Sequence, residues 1–326
     1  MYRYFAVIVL ALCFALTVRA GVSPDFLAGL GPNLPKDFLT QVNGFQDDFS
    51  SYGTPGNAAD LTAALADNGW VWVSRAVASN GVTTILTDSL PANSTIKTLP
   101  DGRGALFVPT GPGININDNR TVNNHLIYMP SDPALDYSRD SQEVLMHIQV
   151  TAVATQVTAV ENYRYRTHGG AGVLVNPDTS MGVDVTFTRR SGEARQREFS
   201  TSYRNGNYAP FGTGPTDSDN AWELNNWYWV RLSYDAESGD VSAKIWLSGT
   251  EEPDAWDVTP SIPSSVTDAA GWAGITASCG GLLEFNVDYI LIKADSLPTI
   301  TVGVPEPATM ALLALGGLAL LRRKRA

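Results

Sequence analysis

The acidic side chains are the first residues to inspect for a hydrolytic site. Cleavage of a glycosidic bond needs two carboxyl groups about 5–10 Å apart, one on each side of the bond. Strand positions i and i+2 share a face, so such a pair would appear as a short local string of acids. The sequence has no such string: Glu143, Glu161 and Glu284 are isolated, and "EEPD" (251–254) falls in a predicted loop. We expect these acids to be solvated surface charges, and we predict a body that is not an enzyme.

The three histidines form no recognisable metal or acid–base motif. His125, His147 and His168 are scattered, without the H-x-H or H-E-x-x-H spacing that puts two imidazoles on one metal ion. The stretch "RYRTHGGAG" (164–172) combines Arg, Tyr and His as a polysaccharide lyase could, but no second motif accompanies it. Cys279 is the one cysteine outside the N-terminal apolar run, so we expect no disulfide and a small buried side chain there.

Aromatic residues offer a second kind of site, because flat sugar faces pack against aromatic rings. The chain has eight tryptophans, and we nominate Trp227, Trp229 and Trp246 as sugar-stacking residues. Strand alternation puts Trp227 and Trp229 on the face opposite to the apolar residues between and after them, so one of these two faces must be core. Framework packing therefore remains the alternative role for these rings.

The charge balance limits the partners. The 326-residue chain has 22 basic and 33 acidic residues, a formal charge of −11, and six of the basic residues lie in the two terminal segments. Such an acidic body repels nucleic acid and anionic lipid, so we expect no nucleic-acid partner, whereas it could attract cations such as calcium. The length is sufficient for one large β domain with a full hydrophobic core.

The N-terminus is typical of a secretory signal peptide. Arg3 supplies the positive charge, residues 5–18 are apolar, and "VRA" ending at Ala20 presents small residues where a signal peptidase reads them. We therefore predict a signal peptide at residues 1–20, cleavage after Ala20, and the Sec translocon and signal peptidase as partners. An uncleaved anchor helix is the alternative, although the run is short for a bilayer span.

The C-terminus combines three features in a fixed order. A Pro-Glu-Pro triplet precedes a 14-residue apolar run (308–321), and a basic cluster follows; the residues concerned are Pro305, Glu306, Pro307, Arg322, Arg323, Lys324 and Arg325. Extended slightly upstream, the run could cross a bilayer of about 30 Å as a helix at about 304–321. The basic cluster would then stay in the cytoplasm and the body outside, in agreement with the signal peptide.

This C-terminal arrangement resembles the bacterial PEP-CTERM sorting signal, which would occupy residues 305–326. The resemblance implies recognition by an exosortase, an integral membrane cysteine protease-transpeptidase, in a Gram-negative bacterium that makes exopolysaccharide. It also implies a protein held at the inner membrane with its body outside the cytoplasm, and then moved to the cell surface or matrix. The alternative is an ordinary tail anchor in which Pro-Glu-Pro merely ends a linker.

Between the two ends, the hydrophobic pattern has a period of two residues and predicts antiparallel strands. Such strands are predicted in 144–153 and 182–188, in a hairpin over 226–247, and in 282–292, where positions 283, 285, 287, 289 and 291 should share one face. The segment 57–69 predicts one short helix with Asn57 as N-cap and Gly69 as stop.

Three stretches resemble the concanavalin A-like lectin/glucanase family, which includes laminin G-like domains. They are "FQDDFSSY" (45–52), the Trp-rich hairpin that starts "NNWYWVRLSY" (225–234), and the closing strands in "GWAGITASCGGLLEFNVDYILIKA" (271–294). The resemblance implies an all-β fold, a two-sheet antiparallel jelly-roll sandwich over residues 45–295. We expect a lead-in at 21–44, a linker at 296–304, and the signal peptide and C-terminal transmembrane helix as flanks.

The same resemblance bears on metal and catalysis. Domains of this fold often carry a structural calcium ion where the first and last strands meet, and Asp47, Asp48 and Asp288 are the oxygen donors we nominate. Hydrolases of the fold typically present Glu-x-Asp-x-x-Glu on one strand, and the chain lacks this string. The leading hypothesis is thus an exported, non-enzymatic surface or matrix protein that binds polysaccharide. A glycosidase or lyase with an unfamiliar site, and a purely structural matrix protein, remain the alternatives.

Overall fold

A computed structural model describes residues 22, 26–30, 33–77, 83–87, 89–109, 121–153, 167–179, 182–189, 198–204, 222–262, 264–277 and 283–303. The helices in this part are α1 (Phe26–Leu30), α2 (Ala58–Ala66) and α3 (Ser264–Thr267), with 3₁₀ turns at Ser50–Tyr52 and Pro133–Leu135. The strands are β1 (Gln41–Asp47), β2 (Trp70–Val77), β3 (Thr83–Thr87), β4 (Thr95–Thr98), β5 (Gly104–Pro109), β6 (Thr121–Tyr128), β7 (Gln142–Val153), β8 (Thr167–Val175), β9 (Gly182–Arg189), β10 (Glu198–Arg204), β11 (Trp227–Tyr234), β12 (Val241–Leu247), β13 (Trp272–Thr276), β14 (Leu283–Lys293) and β15 (Thr299–Thr301).

The strands form two antiparallel sheets, so the predicted two-sheet β architecture is confirmed. One sheet has eight strands in the order β12-β11-β7-β14-β1-β15, with β5 also paired to β14 and β4 paired to β5. The other has seven strands in the order β10-β9-β8-β13-β6-β2-β3. The chain moves back and forth between the sheets, since β1 and β4 to β5 belong to the first and β2 to β3 and β6 to the second. The inner face of each sheet is the one that meets the other sheet, and the outer face is the opposite one.

The main hydrophobic core lies between the inner faces, and the period-two prediction identified much of it. On β11, Tyr228, Val230 and Leu232 belong to this core, while Trp229 belongs to a separate cluster on the outer face. The predicted residues 144, 146, 148 and 150 of β7 also point inward together. Burial of a large apolar side chain stabilises a fold by about 1.5–3 kcal/mol, so this shared face is what fixes the register of the sheet.

The face assignment of β14 was wrong beyond its midpoint. The sequence places Tyr289 and Leu291 on the same face as Phe285 and Val287. In the structure the pairing of β14 with β7 shifts register between Val287 and Tyr289, so the alternation is reset. Phe285 and Val287 lie in the inter-sheet core, whereas Tyr289 and Leu291 lie in the outer-face cluster. A β-bulge adds one residue to one strand and turns the later side chains to the other face. The alternation of apolar residues in the sequence does not reveal where such a bulge lies.

The folded body is wider than the predicted limits of 45 and 295. The expected lead-in supplies α1 and the first four residues of β1, and Phe26, Leu30 and Phe38 are buried on the outer face of the eight-stranded sheet. The expected linker contains β15, which pairs with β1 through Thr299, Ile300 and Thr301. Both segments join the body because the outer face of this sheet is apolar there and needs a cover.

The one helix predicted with a cap is confirmed. The Asn57 side chain accepts hydrogen bonds from the amides of Ala59 and Asp60 at 2.9 and 3.0 Å, and α2 runs from the next residue to Ala66. Gly69 follows with φ of +86°, a conformation that glycine adopts without the strain of a side chain. Within the described residues, no helix has the length and hydropathy needed to cross a bilayer. The predicted signal peptide and C-terminal helix lie outside the described residues.

Candidate functional site

The three nominated tryptophans do not share one environment. Trp229 and Trp246 are buried on the outer face of the eight-stranded sheet, with only 1% and 6% of their surfaces exposed. Their rings stack 6.4 Å apart, and Phe38 meets Trp229 edge-on at 5.6 Å. Trp227 is half-buried, and its ring stacks on His147 with the Arg103 guanidinium 5.6 Å from its centroid. Trp229 and Trp246 therefore serve as core for the N-terminal segment, and Trp227 alone of the three can meet a ligand.

A charged cluster borders this covered part of the outer face. Arg231 Nη1 donates to Asp37 Oδ2 at 2.6 Å, and Nη2 donates to Glu252 Oε2 at 3.0 Å. Burial by itself would raise the pKa of Asp37, but Arg231 and Lys293 outweigh it and hold that pKa below its ordinary value. Asp37 comes from the N-terminal segment and Arg231 from β11, so the cluster attaches the cover to the sheet.

The rest of the outer face carries a row of polar and aromatic side chains that crosses six strands. Cα pairings join Thr95 to Phe107, Phe107 to Asn286, Asn286 to Gln149 and Gln149 to Trp227. The amide of Ser248, just after β12, donates to the Trp227 carbonyl at 2.9 Å and completes the row. We call this set of six residues the transverse row: Thr95, Phe107, Asn286, Gln149, Trp227 and Ser248.

The amide side chains in the transverse row are oriented by each other. Asn286 Nδ2 donates to Gln149 Oε1 at 3.0 Å, and Gln149 Nε2 donates to the Asn225 carbonyl at 2.8 Å. Asn286 Oδ1 is buried and accepts no hydrogen bond from the described residues. Thr95, Gln149, Trp227 and Ser248 are partly exposed, while Asn286 and Phe107 are nearly buried. The row is therefore a pre-arranged polar surface with a partly buried floor.

A buried hydrogen-bonded array ends at the Ser248 end of the transverse row. Asp288 Oδ1 lies 2.6 Å from His147 Nδ1, and His147 Nε2 lies 2.9 Å from Ser248 Oγ. The second oxygen of Asp288 accepts a hydrogen bond from Arg103, whose side chain is also buried. We call Ser248, His147, Asp288 and Arg103 the Ser248 array. In the tautomer that satisfies both contacts, Nδ1 donates to Asp288 Oδ1, and Nε2 accepts from the serine hydroxyl.

The Ser248 array lies at the β-bulge of β14. Asp288 follows the inward-pointing Val287 at the register shift between Val287 and Tyr289, so it lies on the outer side, where it reaches His147 of the neighbouring β7. The imidazole of His147 is held between two indoles, with the Trp227 ring 4.6 Å away at 15° and the Trp229 ring 4.4 Å away at 35°. The histidine is 1% exposed, so its ring plane is fixed by packing as well as by its two hydrogen bonds.

The nominated calcium ligands do not converge. Asp47 Oδ2 accepts from the Tyr52 hydroxyl at 2.6 Å and from Trp70 Nε1 at 2.9 Å, and Asp47 Oδ1 accepts from the Phe49 amide at 2.8 Å. Burial raises the pKa of Asp47 to about 7, while these three hydrogen bonds act to lower it. The carboxylate of Asp47 is thus occupied by donors of the protein itself.

Asp288 lies on the opposite side of the sheet from Asp47. Asp47 follows the inward alternation of Phe45, whereas Asp288 bonds to outward-pointing His147. The third nominee, Asp48, caps its own turn by accepting from the amide and hydroxyl of Ser50 at 3.0 and 2.6 Å. Among the residues that the structure describes, no three His, Cys, Asp or Glu side chains are grouped so that they could bind a metal ion.

Other polar features of the described chain lie elsewhere. On the seven-stranded sheet, His125 Nδ1 and Asp184 Oδ1 are 3.8 Å apart and both residues are buried. A polar cleft of about 570 Å³ lies near the far end of β11; Arg139, Tyr234, Glu237 and Asp268 are among its lining residues. Neither feature includes a nominated site residue. Cys279, Glu161 and residues 164–166 fall outside the described residues, as does the His168 side chain.

Sequence reasoning missed the Ser248 array for a clear reason. Its members are spread over 186 sequence positions, from Arg103 to Asp288, so no local motif joins them. One signal was present: His147 and Asp288 interrupt the apolar runs "VLMHIQV" and "NVDYILI", and a polar residue in a buried strand usually has a partner. The partner itself could be found only from the pairing of β14 with β7.

The C-terminus matches the PEP-CTERM protein-sorting motif over residues 303–325. The chain therefore carries the sorting signal of exported proteins that exosortase processes, with anchoring to the membrane through the C-terminal region. A search of curated proteins found no sequence that matches this chain.

The solved structures that match this chain include both lectins and glucanases. Lectin I from Ulex europaeus, crystallised with the methyl glycoside of alpha-L-fucose, is 12% identical with a TM-score of 0.37, covering 70% of this chain and 99% of the lectin. The endo-1,3-beta-glucanase from Streptomyces sioyaensis is 13% identical with a TM-score of 0.37, covering 80% of this chain and 98% of that enzyme. A GH131 beta-glucanase catalytic domain from Podospora anserina is 13% identical with a TM-score of 0.37, covering 64% and 82%.

Proposed function

We propose that the protein is an exported cell-surface or matrix protein, sorted by exosortase, whose sandwich binds a polysaccharide along the transverse row. The observation that carries the binding proposal is the row itself, six side chains aligned across six strands on the uncovered part of an outer face. The export step depends on the sorting motif at 303–325. The route through the Sec translocon, and cleavage after Ala20, belong to the same proposal.

The chemistry of the transverse row fits a sugar chain. Amide and hydroxyl groups exchange hydrogen bonds with sugar hydroxyls, and the accessible part of Trp227 offers an apolar surface to the CH groups of a sugar ring. Asn286 Oδ1, which has no partner among the described residues, is an acceptor placed on the floor of the row. A buried acceptor of this kind costs free energy until a ligand or water donates to it.

The dimensions of the transverse row favour a chain over a single sugar. Neighbouring strands are about 4.8 Å apart, so a row that crosses six strands is about 24 Å long. A ligand of this length meets the row at several points, and each point adds to affinity without a deep pocket. We therefore propose a polymer that lies across the strands as the ligand.

The proposal does not include cleavage of the polymer. The residues of the transverse row contain no carboxylate, whereas glycosidic hydrolysis needs two that face each other. A glycosidase or lyase, and a structural matrix protein that binds no glycan, are the competing functions. Reducing sugar released from the bound polymer would support the first, and failure to bind any polysaccharide would support the second.

A pair of matched tryptophan variants tests the binding proposal. Trp227→Ala removes an aromatic ring from the row, and Trp256→Ala removes one that is 38% exposed in a loop outside it. On a polysaccharide array and in titration calorimetry with each hit, we expect Trp227→Ala to weaken binding about tenfold, as loss of one stacked ring predicts. The Trp256→Ala protein should bind like the parent. Equal binding by both variants and the parent would exclude the transverse row as the site.

A further inference from the structure

Ser248 has the neighbours of an activated nucleophile. Its Oγ lies 2.9 Å from His147 Nε2, and His147 Nδ1 lies 2.6 Å from Asp288 Oδ1. A hydroxyl, an imidazole and a carboxylate in this order form the arrangement that turns serine into a nucleophile, whatever the fold that holds it. We propose that Ser248 and His147 are catalytic residues for ester hydrolysis, and that Asp288 is the positioning residue for His147.

The solvent exposure of Ser248, His147 and Asp288 agrees with their proposed roles. Asp288 is fully buried, His147 is 1% exposed and Ser248 is partly exposed, so the array runs from the interior to the surface. Only the nucleophile needs to meet a substrate, whereas the base and its carboxylate work best where water does not compete for their hydrogen bonds. A purely structural network would not need its one exposed member to be the serine.

The surroundings keep the base in a single orientation. Trp227 and Trp229 hold the imidazole from two sides, and Asp288 fixes Nδ1 as the protonated nitrogen. Arg103 binds the other oxygen of Asp288, so the carboxylate cannot rotate away from the ring. A base whose ring and tautomer are both fixed loses little entropy when it accepts a proton.

The reaction balances with water as the only co-reactant. Ser248 Oγ attacks the carbonyl carbon of the ester while its proton passes to His147 Nε2, and an oxyanion forms on the former carbonyl oxygen. Collapse of this intermediate breaks the bond to the alcohol, which leaves with the proton from Nε2. Water, deprotonated by His147, then attacks the acyl-serine and releases the carboxylic acid, and Ser248 regains its proton.

A donor for the oxyanion is available next to the nucleophile. Gly249 follows Ser248 with φ of +85°, and its amide makes no hydrogen bond to any residue that the structure describes. The Gly249 carbonyl, which belongs to the next peptide group, accepts from Asn33 Nδ2 at 2.6 Å and ties this glycine to the N-terminal segment. An amide next to the nucleophile commonly stabilises the tetrahedral intermediate, and one such donor contributes about 10²–10³-fold in rate.

The position of Ser248 at one end of the transverse row indicates the substrate class. An ester carried by a long polar molecule would lie against Trp227 with its acyl group at Ser248. The natural substrate is therefore an acyl ester on a polysaccharide, an assignment that rests on the proposed function. Under this proposal the body would be an esterase, and the expectation of no enzymatic activity would be limited to the cleavage of glycosidic bonds.

Activity-based labelling of the purified full-length chain tests the chemistry without knowledge of the natural substrate. A fluorophosphonate probe should modify Ser248, located by peptide mass spectrometry, and p-nitrophenyl acetate should be hydrolysed. Ser248→Ala should lose both signals. Ser242→Ala, a partly exposed serine on β12, is the matched control and should keep them. No labelling of the parent above the Ser248→Ala level would overturn the proposal.

Asp288→Asn separates a positioning role from a structural one. If Asp288 orients His147, kcat for p-nitrophenyl acetate should fall about 10²-fold or more with KM unchanged, because the amide favours the wrong tautomer. The thermal midpoint and near-ultraviolet circular dichroism of the variant report whether the fold survives. A folded variant with the parental kcat would contradict the role of Asp288. Labelling that persists in a protein that binds no polysaccharide would refute the transverse row and leave the Ser248 array standing.

Discussion

The outer face of the eight-stranded sheet has two halves, and the N-terminal segment covers one of them but not the other. In the covered half, Trp229 and Trp246 pack beneath Phe26 and Phe38 of the N-terminal segment. In the open half, Trp227 takes part in the transverse row. Trp227 and Trp229 are two residues apart on the same strand and point to the same side, so strand alternation cannot tell them apart.

The difference between the halves shows that the exposure of a side chain on the outer face depends on whether another segment of the chain packs over it. The covered half has an apolar floor and a charged border, and the N-terminal segment supplies both the apolar and the charged complement. The open half has amides and hydroxyls that hydrogen-bond within the row, as Asn286 does to Gln149, or to its immediate surroundings, as Gln149 does to the Asn225 carbonyl. A polar surface of this kind does not need a protein cover, and it remains available to a ligand.

The largest expected effect on stability comes from the covered half. Trp229→Ala should lower the free energy of unfolding by about 3–5 kcal/mol, because it leaves a cavity beneath the N-terminal segment. Urea denaturation followed by circular dichroism measures the change. Trp227→Ala, the matched variant from the open half, should cost clearly less. Equal losses for both variants would contradict the division of the face into two halves.

The charged border should be nearly as sensitive. Arg231→Ala leaves Asp37 without its main cation and Glu252 with Lys244 as its remaining cation, and breaking such a partly buried cluster costs about 3 kcal/mol. Arg139, an exposed arginine with a hydrogen bond to the Asp268 carbonyl, provides the control variant Arg139→Ala. Unfolding curves of the two proteins give the comparison, and a loss for Arg231→Ala no greater than the control would show that the cluster does not hold the cover.

The pH dependence should separate the inner-face carboxylate from those of the cover. The pKa of Asp47 is raised to about 7 by burial, so its contribution to stability is full below about pH 4 and is lost as pH rises towards 7. Burial alone would raise the pKa values of Asp37 and Glu252, but their cationic partners lower them below the ordinary values for these side chains. Their contributions to the free energy of unfolding are therefore present at neutral pH and are lost only as the pH falls into the acid range. Asp47→Asn should remove a downward slope of stability between pH 4 and 7, measured by urea unfolding at several pH values. A parental slope in the variant would refute this assignment.

The smallest effect is expected at the exposed edge of the cover. Lys36 of the N-terminal segment pairs with Asp254, and both side chains are largely exposed. Solvent screens such pairs, so Lys36→Ala should leave the unfolding curve unchanged within error. A clear loss of stability would mean that this edge, and not the Arg231 cluster, attaches the segment.

How far the site could be predicted varies with the distance between its residues along the chain. The alternation of β7 and β11 and the cap of α2 are local, and the sequence alone located them correctly. The calcium proposal needed Asp47 and Asp288 on one side of the sheet, but Asp47 points inward to Trp70 and Asp288 points outward to His147 at the bulge of β14. A one-residue shift in register reverses every later side chain, and that shift depends on the neighbouring strand.

The sequence by itself determined the terminal sorting signal, the period-two strands and the absence of a local acid pair, because each depends on residues within one short segment. Tertiary structure alone decided which tryptophan is covered, that the segments flanking 45–295 join the sandwich, and that Ser248, His147 and Asp288 meet. These outcomes depend on contacts between distant residues, 141 positions apart for His147 and Asp288 and 260 for the paired Gln41 and Thr301, and on the need of an apolar face for a cover. Contacts of that range arise from the packing of the whole fold and leave little trace in local sequence.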